Sequence, residues 1–162
     1  MPRLTFPTAL GACALSWGDA GLTGFELPVA PVRDGDQTQP PPEIARLIAR
    51  VQEHLSGNLQ DFSDLPYDFG RVPEFAREVY RAALAVKAGR TASYGTLSSV
   101  LGHPPAASRA VGSALGANPW PLLVPCHRIV AADGRMTGFS GPGGIKTKLR
   151  LLALEGAELF AE

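Results

Sequence analysis

NPWPLLVPCHRIV, residues 118–130, is an apolar stretch that carries a thiol, an imidazole and a guanidinium side by side. Its hydrophobic residues predict a buried, extended segment. Cys126 alone would usually be a small buried hydrophobe, but His127 and Arg128 weaken that interpretation, because adjacent ionisable groups are not buried without partners. A nearby base or cation increases the thiolate fraction of a cysteine, so the stretch predicts a nucleophile. Successive side chains of a straight strand point apart, so we expect His127 to reach the sulfur only at a bend or through a water, with an acid such as Glu155 orienting the imidazole.

The length and charge of the chain limit the number of domains and the kinds of partner that it can have. The chain has 162 residues, of which 45% are hydrophobic, and this is enough to bury a core as one domain or two small ones. The net charge is zero, but residues 1–72 carry five basic against nine acidic side chains, and residues 73–162 carry ten against six. The basic second half allows an anionic partner.

Two cysteines, Cys13 and Cys126, lie far apart in the sequence. Without a CxxC pair or histidines at metal-ligand spacing, they indicate neither a disulfide framework nor a zinc site, and we expect no metal and no other cofactor. Free thiols favour a reducing cytoplasm. The segment before Cys13 is shorter than a secretory signal, and no apolar run is long enough for a membrane span, so we expect neither export nor membrane insertion.

Residues 1–72 are predicted to form a small sheet-plus-helix domain. Residues 9–17 and 22–30 favour two strands of a hairpin around the turn at 18–21. A helix ending near Gly57 follows, with His54 on its polar side and expected to be solvated. The residues predicted to share the buried face of this helix are Ile44, Leu47, Ile48, Val51 and Leu55. Residues 58–72 form a polar connector, which we take as the domain boundary.

Residues 73–162 favour a mainly helical domain. Residues 73–86 predict a helix, Ser93 is a plausible N-cap for a short second helix, and Pro105 stands at the first position of a third. The second and third helices, joined by a tight turn, outline a helix-turn-helix. A last helix covers residues 145–155, with Lys146, Lys148 and Arg150 expected on a solvated face. The predicted fold class is therefore α/β (α+β), with residues 1–72 and 73–162 as the two domains.

The third helix of this part has an unusual composition. Arg109 is its single cation, and it is surrounded by small residues: Ala107, Ser108, Ala110, Gly112 and Ser113.

Six blocks of sequence together resemble a known family. They are SYGTL at 93–97, SRAVGSAL at 108–115, NPWPLLVPCHR at 118–128, PCHRIV at 125–130, GFSG at 138–141 and LLALEG at 151–156. In order and spacing they resemble the O6-alkylguanine-DNA alkyltransferases, repair proteins that take an alkyl group from damaged guanine. The similarity is dense from residue 73 to 157, and Lys148 also matches a family position.

The resemblance assigns the chemistry to four residues. Cys126 would attack the alkyl carbon on guanine O6, His127 would take the thiol proton through a water, and Glu155 would hold the imidazole. Tyr94 would lie over the base and help to protonate the departing guanine. The thioether formed does not hydrolyse, so each molecule would act once. The resemblance also implies O4-alkylthymine as a second candidate substrate.

The resemblance also implies a substrate pocket. The carbonyls of Cys126 and Ile129 would accept from the exocyclic amine of the base, and the Ser140 N–H would donate toward O6. Pro121 and Phe139 would wall the alkyl pocket. Asn118 would brace the turn before the reactive segment.

A DNA partner follows from the same chemistry. A base inside a duplex cannot bring O6 to a buried thiol, so the base must be flipped out at a cost of a few kcal/mol. The bare helix would enter the minor groove of alkylated duplex DNA, and Arg109 would fill the gap in the stack. We expect a monomer with no membrane partner.

Two other classes of function compete with alkyl transfer. A non-catalytic relative that flips and flags alkylguanine is disfavoured by Cys126, because the reactive cysteine is missing from such proteins. A Cys-His hydrolase would need an oxyanion hole and an orienting third residue on an unrelated fold. The chain departs from the common family pattern at Phe75-Ala76, at residues 86–89 and in the longer loop GPGGIKTK. The resemblance places this loop beside the alkyl pocket, so it does not define which alkyl groups are accepted.

Overall fold

A three-stranded antiparallel sheet and a helix come first in the chain, and a helical part with a short parallel pair of strands follows. The computed structural model describes residues 2–28, 39–131 and 144–157. The strands are β1 (Arg3–Thr8), β2 (Gly11–Gly18), β3 (Gly21–Glu26), β4 (Ala92–Ser93) and β5 (Ile129–Val130). The helices are α1 (Pro42–Leu55), α2 (Glu74–Leu84), α3 (Tyr94–Val100), α4 (Ser108–Gly116) and α5 (Ile145–Leu154). The predicted fold class is confirmed. None of the helices in the described ranges is long and apolar enough to cross a membrane.

The N-terminal sheet has the order β1-β2-β3, whereas the sequence predicts only the hairpin of β2 and β3. Strand β1 pairs with β2 with Phe6 opposite Cys13, and both side chains are buried. Pro7, which lacks an N–H, is tolerated because β1 is an edge strand. The first residues of the chain therefore contribute to the sheet.

Helix α1 covers the predicted segment, and its five expected core residues are all buried. It ends before Gly57, whose φ of 103° is readily adopted only by glycine. Connector residues after Gly57 return along the sheet: the Leu22 N–H donates to the Pro66 carbonyl, and the Asp68 N–H donates to the Leu22 carbonyl.

The helix-turn-helix consists of α3, a 3-10 turn at Pro105–Ala107 and α4. Ser93 is the N-cap of α3, as predicted, and its hydroxyl accepts from the Thr96 N–H. The buried Ser98 hydroxyl donates to the Pro104 carbonyl at 2.7 Å and holds the turn. Helix α4 begins at Ser108 rather than at Pro105, because the preceding residues form the tighter turn.

Trp120 ties the N-terminal sheet to the segment that leads into Cys126. Its side chain is fully buried, and its Nε1 donates to the Leu22 carbonyl at 2.9 Å. The Phe25 N–H donates to the Pro119 carbonyl at 2.9 Å. One hydrophobic core contains residues from both sides of residue 72. The domain boundary at residue 72 stays a prediction.

Candidate active site

Asn118 holds the turn before the reactive segment. Its Nδ2 donates to the Val124 carbonyl at 2.9 Å, and its Oδ1 accepts from the Trp120 N–H at 2.9 Å. Between these anchors Leu122 has a φ of 80°, a strained conformation that costs a non-glycine residue about 1–3 kcal/mol. Because the turn is strained and the Asn118 side chain bonds to both of its ends, this side chain fixes where the following residues lie.

Cys126, His127 and Arg128 form a 3-10 turn, where the sequence predicts extended chain. Pro125 leads into it with φ −81° and ψ 65°, and its carbonyl accepts from the Arg128 N–H at 3.0 Å. With about three residues per turn, the three side chains point in three directions. The prediction of extended chain is therefore wrong for these residues, and the segment contains a bend of the kind that the chemistry requires. All three side chains are buried.

Glu155, the C-cap of α5, accepts four hydrogen bonds from three side chains. His127 Nε2 lies 3.0 Å and Arg128 Nε 2.9 Å from Oε1. Arg128 Nη2 lies 2.7 Å and His54 Nε2 2.9 Å from Oε2. Both imidazoles are 0% exposed and Glu155 is 3% exposed, so these bonds form away from water.

Glu155 and His127, which we call the relay, can together accept a proton. Burial alone would raise the pKa of the Glu155 carboxyl, but hydrogen bonds from His127, His54 and Arg128 hold that pKa well below its usual range. Burial lowers the pKa of His127, and this effect outweighs the opposing one of Glu155. An ionised Glu155 can only accept, so Nε2 of His127 carries the hydrogen and Nδ1 is the basic nitrogen. Nδ1 is buried and bonds to none of the described residues.

The Cys126 thiol is 8% exposed and stays protonated at rest. Burial raises the pKa of this thiol, and the opposing effects of the Asn118 side chain and the Lys148 charge are smaller. Burial therefore opposes the increased thiolate fraction that the sequence predicts. A base must remove the proton during the reaction.

Lys148 is fully buried, which corrects the prediction of a solvated side chain. Its Nζ donates to the Ile129 carbonyl at 2.7 Å and lies 6.0 Å from the centroid of the Tyr94 ring. Lys148 faces inward because it shares a helix face with Leu151 and Leu152, three and four residues later. Lys146 and Arg150 are exposed, as predicted.

His54 is likewise buried, where the sequence analysis places it on a solvated face. Its Nδ1 accepts from the Gln60 N–H at 2.9 Å, and the Phe62 ring lies 5.3 Å away, centroid to centroid. The connector thus folds back over the histidine. A sequence signal existed, since His54 follows the buried Leu47 by seven residues and so projects from the same face.

Tyr94 is placed beside the reactive turn by the short parallel sheet. Ala92 pairs with Ile129, so the residue that begins α3 is held next to the segment that follows Cys126. Tyr94 is half-buried and also lies against α4, since a Cβ on Gly112 would stand 3.8 Å from its ring.

Helix α4 presents Arg109 to solvent on a face of small residues. Ala110 and Ser113 are exposed, and Ala107, Ser108 and Gly112 are half-buried. Val111 and Leu115 fill the inner face of the helix. Pro121 is half-buried and Ile129 is fully buried. Phe139 and Ser140 lie outside the described residues.

Arg128 is another residue of the site to which the sequence gives no role. Besides its two bonds to Glu155, its Nη1 donates to the Val86 carbonyl at 2.7 Å. Its position in an apolar segment directly after His127 was the available signal, because a buried cation requires an anionic partner.

Comparison with known proteins identifies the family. The family model described as "6-O-methylguanine DNA methyltransferase, DNA binding domain" matches residues 74–157. The chain belongs to this methyltransferase family. A methylated-DNA–protein-cysteine methyltransferase of Methanothermobacter thermautotrophicus is 34% identical over 143 residues, which are 88% of this chain and 78% of the relative.

Two further proteins relate this methyltransferase fold to DNA. The DNA base-flipping protein of Thermus thermophilus is 40% identical over 154 residues, covering 93% of this chain and 97% of the relative. The solved structure of Mycobacterium tuberculosis OGT in complex with DNA superposes with a TM-score of 0.79 at 33% identity, covering 95% of this chain and 92% of that chain. Membership in the methyltransferase family excludes the hydrolase interpretation, which requires an unrelated fold.

Proposed function

We propose that this protein repairs DNA by moving an alkyl group from O6-alkylguanine directly and irreversibly to Cys126. The observation that carries the proposal is the buried relay of Glu155 and His127 beside a protonated thiol, within the methyltransferase family. O4-alkylthymine is a second candidate substrate, because it presents the same alkyl–oxygen bond.

The first step removes the thiol proton. The Cys126 hydrogen passes to Nδ1 of His127 through a water, and the Glu155 carboxylate stabilises the imidazolium through Nε2. The buried Lys148 cation favours the thiolate, since its charge lowers the pKa of Cys126. Because burial outweighs this effect, a base is still required to remove the thiol proton.

The second step transfers the alkyl group. The sulfur electron pair forms the S–C bond as the C–O6 bond breaks, and the bonding electrons stay with the guanine. The Tyr94 hydroxyl donates a proton to the leaving base and is reprotonated by the His127 imidazolium. Overall, the proton of the thiol replaces the alkyl group on guanine. The thioether is stable, so each molecule reacts once.

DNA recognition is assigned to α4. The exposed Arg109 on a face of small residues suits entry into the minor groove of alkylated duplex DNA, where the guanidinium fills the space left by the flipped base. The surrounding contact residues are Ala107, Ser108, Ala110, Gly112 and Ser113.

The substrate pocket forms around the reactive turn. The carbonyls of Cys126 and Ile129 accept from the guanine amine; the Ile129 oxygen already accepts from Lys148 and keeps a second lone pair. The resemblance to the family implies that Pro121 and Phe139 would wall the alkyl group and that the Ser140 N–H would donate toward O6. Asn118 holds the turn. The two free thiols support a cytoplasmic location, and we propose that the protein acts as a monomer.

A second candidate function is favoured by the 40% identity to a DNA base-flipping protein. Such a protein would bind the lesion without accepting the alkyl group. Incubation with an O6-benzylguanine probe separates the two functions. Permanent labelling of Cys126 supports transfer, whereas binding without labelling supports the flagging function and contradicts ours.

A further inference from the structure

We propose that His54, a residue of the N-terminal half, is a positioning residue for alkyl transfer, because it binds Glu155 and keeps His127 a neutral base. This inference rests on the proposed function. Neither the sequence motifs nor the family match, which begins at residue 74, includes His54.

The hydrogen bonds of His54 define its tautomer. Nδ1 accepts from the Gln60 N–H at 2.9 Å, so this nitrogen carries no hydrogen. The remaining hydrogen is on Nε2, which donates to Glu155 Oε2 at 2.9 Å. A protonated imidazole would place two N–H groups against each other at Nδ1. His54 therefore acts as a neutral donor to the carboxylate.

The surroundings of His54 bury this arrangement. The histidine is at the end of α1, the Phe62 ring packs against it, and Leu55 beside it is buried. Among the described residues, no group of histidine, cysteine and acidic side chains is arranged to hold a metal ion. The cluster of His54, Glu155, His127 and Arg128 is thus a hydrogen-bond network.

His54 affects His127 because both bind the charged carboxylate of Glu155. Among the described residues, the ionisable groups that face His127 are Glu155, Arg128 and His54, and the charge of Arg128 opposes protonation of the imidazole. A donor on Oε2 draws the carboxylate charge away from Oε1, where His127 binds. Without that donor, Glu155 would stabilise the imidazolium at rest, and less neutral base would be present at a given pH.

The test compares three substitutions at residue 54 with a control on the same helix. His54→Leu removes the donor, His54→Asn is too short to reach Oε2, and His54→Gln restores a donor. Val51→Ala creates a cavity at the buried Val51 of α1 without touching Glu155. The rate of methyl transfer from an O6-methylguanine duplex is measured as a function of pH, and His127 is titrated by NMR in each protein.

We expect His54→Leu and His54→Asn to slow transfer near neutral pH by about tenfold, less than the roughly 10²–10⁴-fold contributed by a general base. The acidic limb of their pH profile moves to higher pH, and His127 titrates at higher pH. His54→Gln and Val51→Ala keep the wild-type profile. If His54→Leu does not fold, His54→Asn gives the same comparison.

An unchanged pH profile and an unchanged His127 titration in the Asn variant would overturn the role of His54, as would an equal shift in Val51→Ala. Failure of the proposed function is a separate result: the wild-type protein then transfers nothing. The His127 titration still decides whether His54 sets the state of the imidazole.

Discussion

His127 and Arg128, neighbours in the sequence, bind the same oxygen: Glu155 Oε1 lies 3.0 Å from His127 Nε2 and 2.9 Å from Arg128 Nε. One anion therefore serves two purposes. It compensates a buried guanidinium, which stabilises the fold, and it orients an imidazole, which serves the chemistry.

The Glu155→Gln variant should lose about 3–5 kcal/mol of unfolding free energy, because Arg128 would remain buried without its anion. Urea denaturation measures the loss. The matched control is Lys87→Ala, since the ion pair of Lys87 with Asp61 is more than half exposed and contributes less than about 1 kcal/mol. Equal losses in the two variants would contradict the structural importance of Glu155.

The stability of the protein should fall as pH is lowered, in two stages. Burial lowers the pKa of His127 in the folded protein. As the pH falls, His127 is therefore protonated in the unfolded chain before it is protonated in the folded protein, and stability declines below the unfolded pKa of about 6.5. The lowered pKa of Glu155 stabilises the protein fully above its unfolded pKa of about 4.3, and this stability is lost as pH falls toward the folded value. Urea titrations at several pH values measure the curve. In Glu155→Gln the lower stage should be flatter, and stability that rises on acidification would oppose both assignments.

Arg109→Ala should impair repair of duplex DNA far more than reaction with the free base O6-benzylguanine. Only in the duplex does a flipped base leave a gap in the base stack that the Arg109 side chain fills. Rates on both substrates give the comparison. Arg46→Ala, which removes an exposed cation from α1, should change neither rate. Equal losses on both substrates for Arg109→Ala would remove the role of Arg109 in base flipping.

Trp120→Phe should destabilise the protein by at least about 1 kcal/mol, yet leave the transfer rate of the folded protein near that of the wild type. The variant loses the bond to the Leu22 carbonyl and leaves a cavity in the core. Denaturation and single-turnover rates measure the two effects. A slow transfer with unchanged stability would show that the indole acts on the chemistry instead.

Local patterns were enough to predict much of the fold. The period of apolar residues placed α1 and its buried face, and Ser93 marked the start of α3. Strand β1 escaped prediction because its short pattern contains Pro7, and a proline is compatible with a strand only at an edge that the sequence does not reveal.

The relay could be predicted only in part. Cys126 and His127 are adjacent in sequence, and Glu155 was the acid expected to orient the imidazole. His54 is 101 residues from Glu155 and meets it only through tertiary packing. Lys148 has the composition of a surface residue, yet the face that it shares with Leu152 turns it inward. Such long-range contacts leave little trace in a single sequence.

The most direct test of the central claim is mass spectrometry of the protein after reaction with a duplex that carries one O6-methylguanine. We expect one added methyl group per molecule, mapped by peptide fragmentation to Cys126, and none on Cys126→Ala, which should still bind the duplex. A methyl group on another residue, or transfer by Cys126→Ala, would contradict the account.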